Sequence, residues 1–260
     1  MLEPGRVSQL FFLIVLCAAV IYLVETSRRG KLPKLRKVPG LDAVEEAVGR
    51  ATEMAKPVVI STGIGGLTDI TAPQTIAGLS MVSYVARLSA RYGARLIAPC
   101  RIPHVLPVEV ETIQSAYNEE GKTEEGTQAV DMVPFLSDNQ FSYAMAYLGI
   151  IDREKPAAHI MVGGYWAESL QLAELGYKVG AVQIAGTGNV AQIPFFVAAC
   201  DYCLLGDEIY AAGAYLSKDP IQTGSVVGQD FGKAVAFILI VLGVVLSAIG
   251  VKAFTTLLLS

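Results

Sequence analysis

Two stretches of this 260-residue chain carry no charge over a length that can cross a bilayer, and they stand near its two ends. Residues 7–24 read VSQLFFLIVLCAAVIYLV, and residues 234–251 read AVAFILIVLGVVLSAIGV. At ~1.5 Å per helical residue each covers most of the ~30 Å hydrocarbon core. Neither has a polar face to turn towards water, so both are expected as transmembrane helices rather than helices of a soluble core. The first is not read as a cleaved signal peptide. Its flank is the basic ETSRRGKLPKLRK, with no small-x-small cleavage site, which fits a retained anchor.

Charge sets the expected orientation. Arg28, Arg29, Lys31, Lys34, Arg36 and Lys37 follow the first apolar run, and only Arg6 precedes it. The positive-inside rule therefore predicts a two-pass cell-membrane protein with both termini outside and the main domain cytoplasmic. The basic linker, residues 25–40, is also expected to touch anionic lipid headgroups.

The chain is 53% hydrophobic and 17% charged, against about 25% charged in ordinary globular proteins. Mean hydropathy is +0.48, and the excess sits mainly in the two terminal runs. Residues 41–231 read as a globular α/β domain long enough to bury a core. A net charge of −4 gives no basic footprint for nucleic acid. Cys17 lies in the first apolar run, and Cys100, Cys200 and Cys203 lie in strand-like runs, so reduced thiols are expected rather than a disulfide framework.

Within the domain, short apolar runs alternate with helical patterns. Strands are expected at residues 57–62, 94–98, 130–136, 159–162, 181–185 and 202–205. Helices are expected at 41–55, 71–92, 106–120, 137–152, 165–175 and 207–216, with a short one broken at Pro194. Capping-box patterns begin at Thr71 and Ser137, and residues 121–126 read as a polar loop. The nearly continuous apolar strands predict a doubly wound, mostly parallel sheet of about six strands with helices on both faces.

Three strand-to-helix turns are rich in glycine: Gly63, Gly65 and Gly66; Gly163 and Gly164; Gly186, Thr187, Gly188 and Asn189. In a parallel sheet such turns share the carboxyl edge, where open α/β folds bind ligands. Glycine permits close backbone approach, and helix N-termini favour anions, so a small anionic ligand is expected there. Gly186-x-Gly188-x-x-Ala191 also fits a dinucleotide fingerprint, with Asp207 and Glu208 near the ribose-binding offset. Against that reading stand the short following helix, Pro194 and the late position of the motif. No Gly-Lys-Ser/Thr follows any of these turns, which excludes a P-loop.

Asp69, Glu168, Asp207 and Glu208 are the acidic groups at this edge, with Glu168 or Glu208 the candidates for a general base. Capping and solvation are the competing roles. Cys200-x-x-Cys203 lies on or near a strand, where positions three apart are expected to diverge, so no metal or redox pair is expected. Cys100 and His104 alone are a weak zinc signal, His159 reads as structural, and no Ser-His-Asp order supports a hydrolase. No motif specifies a cofactor or a catalytic residue.

The segments TGIGGLTDITAPQTIAGL (62–79), GGYWAESLQLAE (163–174), GTGNVAQIPFF (186–196) and GDEIYAAGAYLS (206–217) together resemble an uncharacterised family of prokaryotic membrane proteins, known as a domain of unknown function. The resemblance runs over nearly the whole chain. It implies membrane residence and a prokaryotic source, and it brings no catalytic residues.

Two functions compete at this stage. One is a membrane-tethered, homo-oligomeric ligand-binding or scaffold protein. The other is a membrane-anchored enzyme using a nucleotide or dinucleotide at the glycine-rich edge. A pore is disfavoured because the two apolar runs lack intramembrane polar groups. Gly243 and Ser247 form a small-xxx-small pair with Gly250 three residues on, which predicts self-association through the second helix.

Overall fold

The computed structural model describes residues 7–30, 38 and 40–249. The chain forms two compact units: Met1–Leu35 with Lys218–Ser260, and Arg36–Ser217.

The Arg36–Ser217 unit runs α2 (Gly40–Glu53), β1 (Val58–Gly63), α3 (Ala72–Tyr92), β2 (Leu96–Ile97), α4 (Leu106–Glu119), α5 (Thr123–Gly126), α6 (Ala129–Met132), α7 (Gln140–Glu154), β3 (Ala158–Gly164), α8 (Glu168–Lys178), β4 (Val182–Thr187), α9 (Ile193–Ala199), β5 (Tyr202–Leu205) and α10 (Glu208–Ser217). The helix that precedes it in sequence is α1 (Val7–Arg28), and α11 (Pro220–Ala248) follows it.

The five strands form one sheet in the order β2-β1-β3-β4-β5, and every pairing is parallel. This is an open doubly wound sheet whose order reverses between β1 and β3. Side chains alternate across it as strand geometry requires. Val58, Ile60, Ile160 and Ile184 pack with α2, α3, α4 and α10. Val59, Met161 and Ala185 pack with α7, α8 and α9. Tyr143, Tyr147 and Tyr165 are fully buried in that second layer.

The buried polar groups there satisfy one another. Gln183 spends both amide hydrogens on the carbonyls of Ala173 and Ala199, each at 2.8 Å. Its oxygen therefore faces Nδ1 of His159 at 3.0 Å, which must carry the proton. Nε2 of His159 then accepts from the Tyr147 hydroxyl at 3.0 Å. Burial pushes the imidazole pKa down to about 4, so the ring is neutral.

Residues 130–136 do not form the expected sixth strand. They run through α6 into a single parallel bridge between Cys100 and Phe135. Ala98 and Cys100 donate to the carbonyls of Met132 and Pro134, and Leu136 donates back to Cys100. The missing rung falls at Pro134, which has no N–H to give. Other local expectations change as well. Thr71 makes no side-chain cap to α3. The cap of α7 is Asn139 rather than Ser137, and it accepts from Phe141 and Ser142. The polar stretch 121–126 contains the helical turn α5. Cys200 and Cys203 do not diverge: both thiols pack against the same core layer, because Cys200 precedes β5 at the end of α9. All four cysteines are free.

In the other unit, two helices among the described residues are long and apolar enough to cross a membrane, over Gln9–Arg28 and Pro220–Ala248. α1 and α11 pack against each other. A Cβ on Gly224 would meet Val24, one on Gly228 would meet Val20, and one on Gly232 would meet Leu16. This glycine stripe at every fourth residue is an antiparallel helix seam of the kind small residues permit.

Candidate functional site

The glycine-rich turns after β1, β3 and β4 come together at the carboxyl edge, where the strand order reverses. The β1–β3 ladder slips there: Ser61 pairs with Met161, but Gly63 pairs with Gly164, so β3 carries one extra residue. This bulge explains its glycines. Gly163 has φ +152°, and a Cβ on it would lie 1.9 Å from the Thr62 carbonyl oxygen. Bulges re-aim the chain and recur beside functional sites.

Above the bulge is a cavity of about 200 Å³ lined by Ile70, Thr71, Gln74, Gly164, Tyr165, Trp166 and Asn189. Gly164 forms part of its lining, and Gly65 backs onto it, 3.4 Å from the Cβ position of Gly164. Ile70 is 90% exposed and Trp166, the single tryptophan, is 46% exposed. A larger groove of about 980 Å³ runs along the outer side of β2, lined by Arg95, Leu96, Tyr117, Asp131 and Arg153 among others. It lies away from the turns, and its two arginines, Arg95 and Arg153, are both paired with Glu154.

Several of the turns' donors are already engaged by the chain itself. Asp69 accepts from the N–H of Gly66 at 3.3 Å and from the N–H and hydroxyl of Thr71. The Thr71 hydroxyl, with those backbone donors, holds the Asp69 carboxyl below its usual range. Leu67 N–H donates to Nε2 of His104 at 3.2 Å, and Arg101 donates to the Ile64 carbonyl at 2.9 Å. Glu168 is buried, accepting from Trp166 N–H at 2.9 Å and from the Gln140 amide at 2.6 Å. Its two oxygens orient the β3 turn, which is a positioning role.

At the third turn, Gly188 N–H donates to Oε1 of Gln74 at 3.0 Å, and the Thr187 hydroxyl donates to the same oxygen at 3.3 Å. Asn189 donates to the Tyr165 carbonyl at 3.1 Å, tying the β4 turn to the β3 turn. The elements of the dinucleotide fingerprint are dispersed differently. Gly186 sits within β4, against Leu204 and Ile209, and serves close packing. Glu208 caps its own turn by accepting from Leu205 N–H at 2.9 Å, while Asp207 is exposed beside it. The helix after the turn, α9, is seven residues long.

Of the site residues the sequence singles out, Gly164 and Asn189 line the cavity and the others do not; Gln74, Tyr165, Trp166, Thr71 and Ile70 complete the lining and were not singled out for it. The lone tryptophan directly after Gly163-Gly164-Tyr165 was the available signal. Cys100 and His104 turn to different partners, the thiol towards the Ile102 carbonyl and the imidazole towards Leu67. Burial raises the thiol pKa of Cys200 and of Cys203, so neither is poised as a thiolate.

A family model described as a domain of unknown function, DUF6754, matches residues 1–258. The chain belongs to this family. No curated protein and no solved structure matches it. The DUF6754 chain thus joins a five-stranded parallel sheet, a small cavity at its order-reversal point and two long apolar helices.

Proposed function

We propose that this DUF6754 chain is a two-pass membrane protein whose Arg36–Ser217 unit is cytoplasmic, binds a small ligand at the carboxyl edge of its sheet, and works as a homo-oligomer. The observation that carries the binding reading is the convergence of three turns on one cavity beside a half-exposed tryptophan. Aromatic side chains commonly wall small-molecule sites, with a few polar groups beside them to fix orientation.

The lining sets the ligand class. Trp166 and Ile70 offer an apolar face. Gln74 has its oxygen committed to Gly188, so its amide nitrogen is the donor it has left for a ligand. No lysine or arginine is among the described residues that line the cavity. The ligand is small, with one flat face and a polar edge. An anionic group would have to take the place of Asp69, Glu168 or the Gln74 oxygen at the N–H groups they hold.

Six basic residues after the first apolar run support the cytoplasmic side. Association through α11 is supported by Gly243 and Ser247, half-buried and exposed respectively in the single chain.

The test is mass spectrometry of small molecules that co-purify with the protein, followed by thermal stabilisation with each. Trp166→Ala, at an exposed position, is expected to keep the fold and lose the stabilisation. Stabilisation that survives this change would place binding elsewhere. A co-purified nucleotide would replace the binding-protein reading with that of a membrane-anchored enzyme.

A further inference from the structure

The apolar runs of α1 and α11 are not level with each other. Gly224 meets Val24, Gly228 meets Val20 and Gly232 meets Leu16. Continuing this four-for-four antiparallel register puts Asp230 and Lys233 level with Ala18 and Val15, the middle of the uncharged run 7–24. Asp230 and Lys233 form an ion pair at 3.4 Å, and their side chains are 69% and 53% exposed.

Any bilayer position leaves something uncovered in a single hairpin. A slab that covers residues 7–24 of α1 also covers the exposed charged pair. A slab that begins at Ala234 leaves Ile21 and Tyr22, each 69% exposed, out of the lipid. Exposed charge in hydrocarbon and exposed large apolar groups in water are both unfavourable.

One face of α11 resolves this. Gln229, Lys233, Ala236, Ile240, Gly243 and Ser247 recur at alternating spacings of four and three, the heptad spacing of a helix seam. All are exposed except the half-buried Gly243. The face lies beside the glycine stripe that holds α1, so both can be occupied at once.

We propose that this seam packs against α11 of a second copy of the chain, with Asp230 of each copy flanking Lys233 of its neighbour. The inference rests on the homo-oligomer reading above. All copies insert in one orientation, so the two α11 helices run parallel and each seam residue meets its own counterpart. The charged pair is self-complementary across such a contact, and a single lysine on a seam fixes register. The small residues Ala236, Gly243 and Ser247 allow close approach.

Oxidative cross-linking of the full chain in native membranes tests this without depending on a disruptive variant. On a Cys17→Ser background, Ala236→Cys is expected to form a disulfide-linked dimer, and Ile238→Cys, exposed on another face, is not. Asp230→Lys is expected to lower the oligomer mass in nanodiscs, and Asp230→Lys with Lys233→Asp to restore it. A wild-type oligomer whose Ala236→Cys form does not cross-link, or cross-links no better than Ile238→Cys, overturns the seam and leaves the oligomer reading standing. A monomeric wild type overturns both.

Discussion

The amide oxygen of Gln74 accepts the backbone N–H of Gly188 at 3.0 Å, joining residues 114 positions apart. Gln74 stands in the first turn of α3, so this bond fixes the β4 turn to the helix that follows β1. It also occupies a donor that an anion bound at the third turn would need. Gln74→Ala is expected to cost about 1–2 kcal/mol in stability, the usual net value of the two bonds its oxygen accepts from Gly188 and Thr187. It should also free the Gly188 N–H and raise the protein's thermal stabilisation by phosphate above that of wild type. Equal stabilisation of both proteins would show that this amide is not an anion site.

Gly163 is the least replaceable glycine of the site. An added methyl would stand 1.9 Å from the Thr62 carbonyl oxygen, a backbone atom that cannot swing away. Gly163→Ala is expected to cost more than ~3 kcal/mol, or to prevent folding, through this clash. Gly180 is the comparison: it has φ +77° with nothing within 4 Å of its Cβ position. Gly180→Ala should cost only about 1 kcal/mol, from the backbone alone. Denaturant titration of the full chain in detergent compares the two. Similar losses would mean that the bulge opens to admit a side chain.

The parts of this fold visible in the sequence are those written in local pattern. The apolar runs that became β1, β3 and β4 stand out because both faces of the sheet are covered there. Val44, Val48 and Ala51 mark the buried side of α2 by their spacing alone. Residues 130–136 have the same apolar look, but strand formation there fails at one missing N–H, a consequence of pairing with Ala98 and Cys100 that composition does not carry. The site shows the same division. Its glycines were legible because φ and close approach demand them. Its walls were not, because Gln74 and Trp166 meet only when strand order brings α3 beside β3 and β4. The stripe Gly224, Gly228 and Gly232 was overlooked because Gln229, Asp230 and Lys233 break the apolar run in which helix contacts are sought.

Orientation is checked at the membrane itself. The six basic residues after the first apolar run predict that the Arg36–Ser217 unit is cytoplasmic. Protease added to intact cells should leave this unit whole, while the same protease should cut it in inverted vesicles. Cleavage from outside the cell would reverse the assignment.

The pH dependence of stability should carry opposing contributions from two buried groups. Glu109 is 0% exposed, on α4; among the described residues its carboxyl oxygens have no hydrogen-bond partner at ordinary distance, and the Cys100 thiol is the polar group beside it. Burial raises its pKa from 4.5 to about 8. Between those values the folded chain holds a proton that the unfolded chain has released, so stability falls as pH rises through this window. His159 works in the other direction. Its folded pKa is lowered from 6.5 to about 4, so between those values the unfolded chain holds the extra proton and stability rises with pH. The two oppose each other below pH 6.5, and from there to about pH 8 Glu109 acts alone. Wild type should therefore lose stability over that upper window, by an amount on the order of a kcal/mol or more. Glu109→Gln keeps the side chain's size and removes its titration. Its absolute stability is not the readout, because a buried amide brings unpaired groups of its own. The slope is: the variant should gain stability up to about pH 6.5 and then stay level to about pH 8, above which the buried Cys100 and Cys200 thiols lower stability in both proteins. Chemical denaturation at fixed temperature across pH 5–8 resolves the two curves. An equal fall in wild type and variant above pH 6.5 would assign the titration to a group other than Glu109.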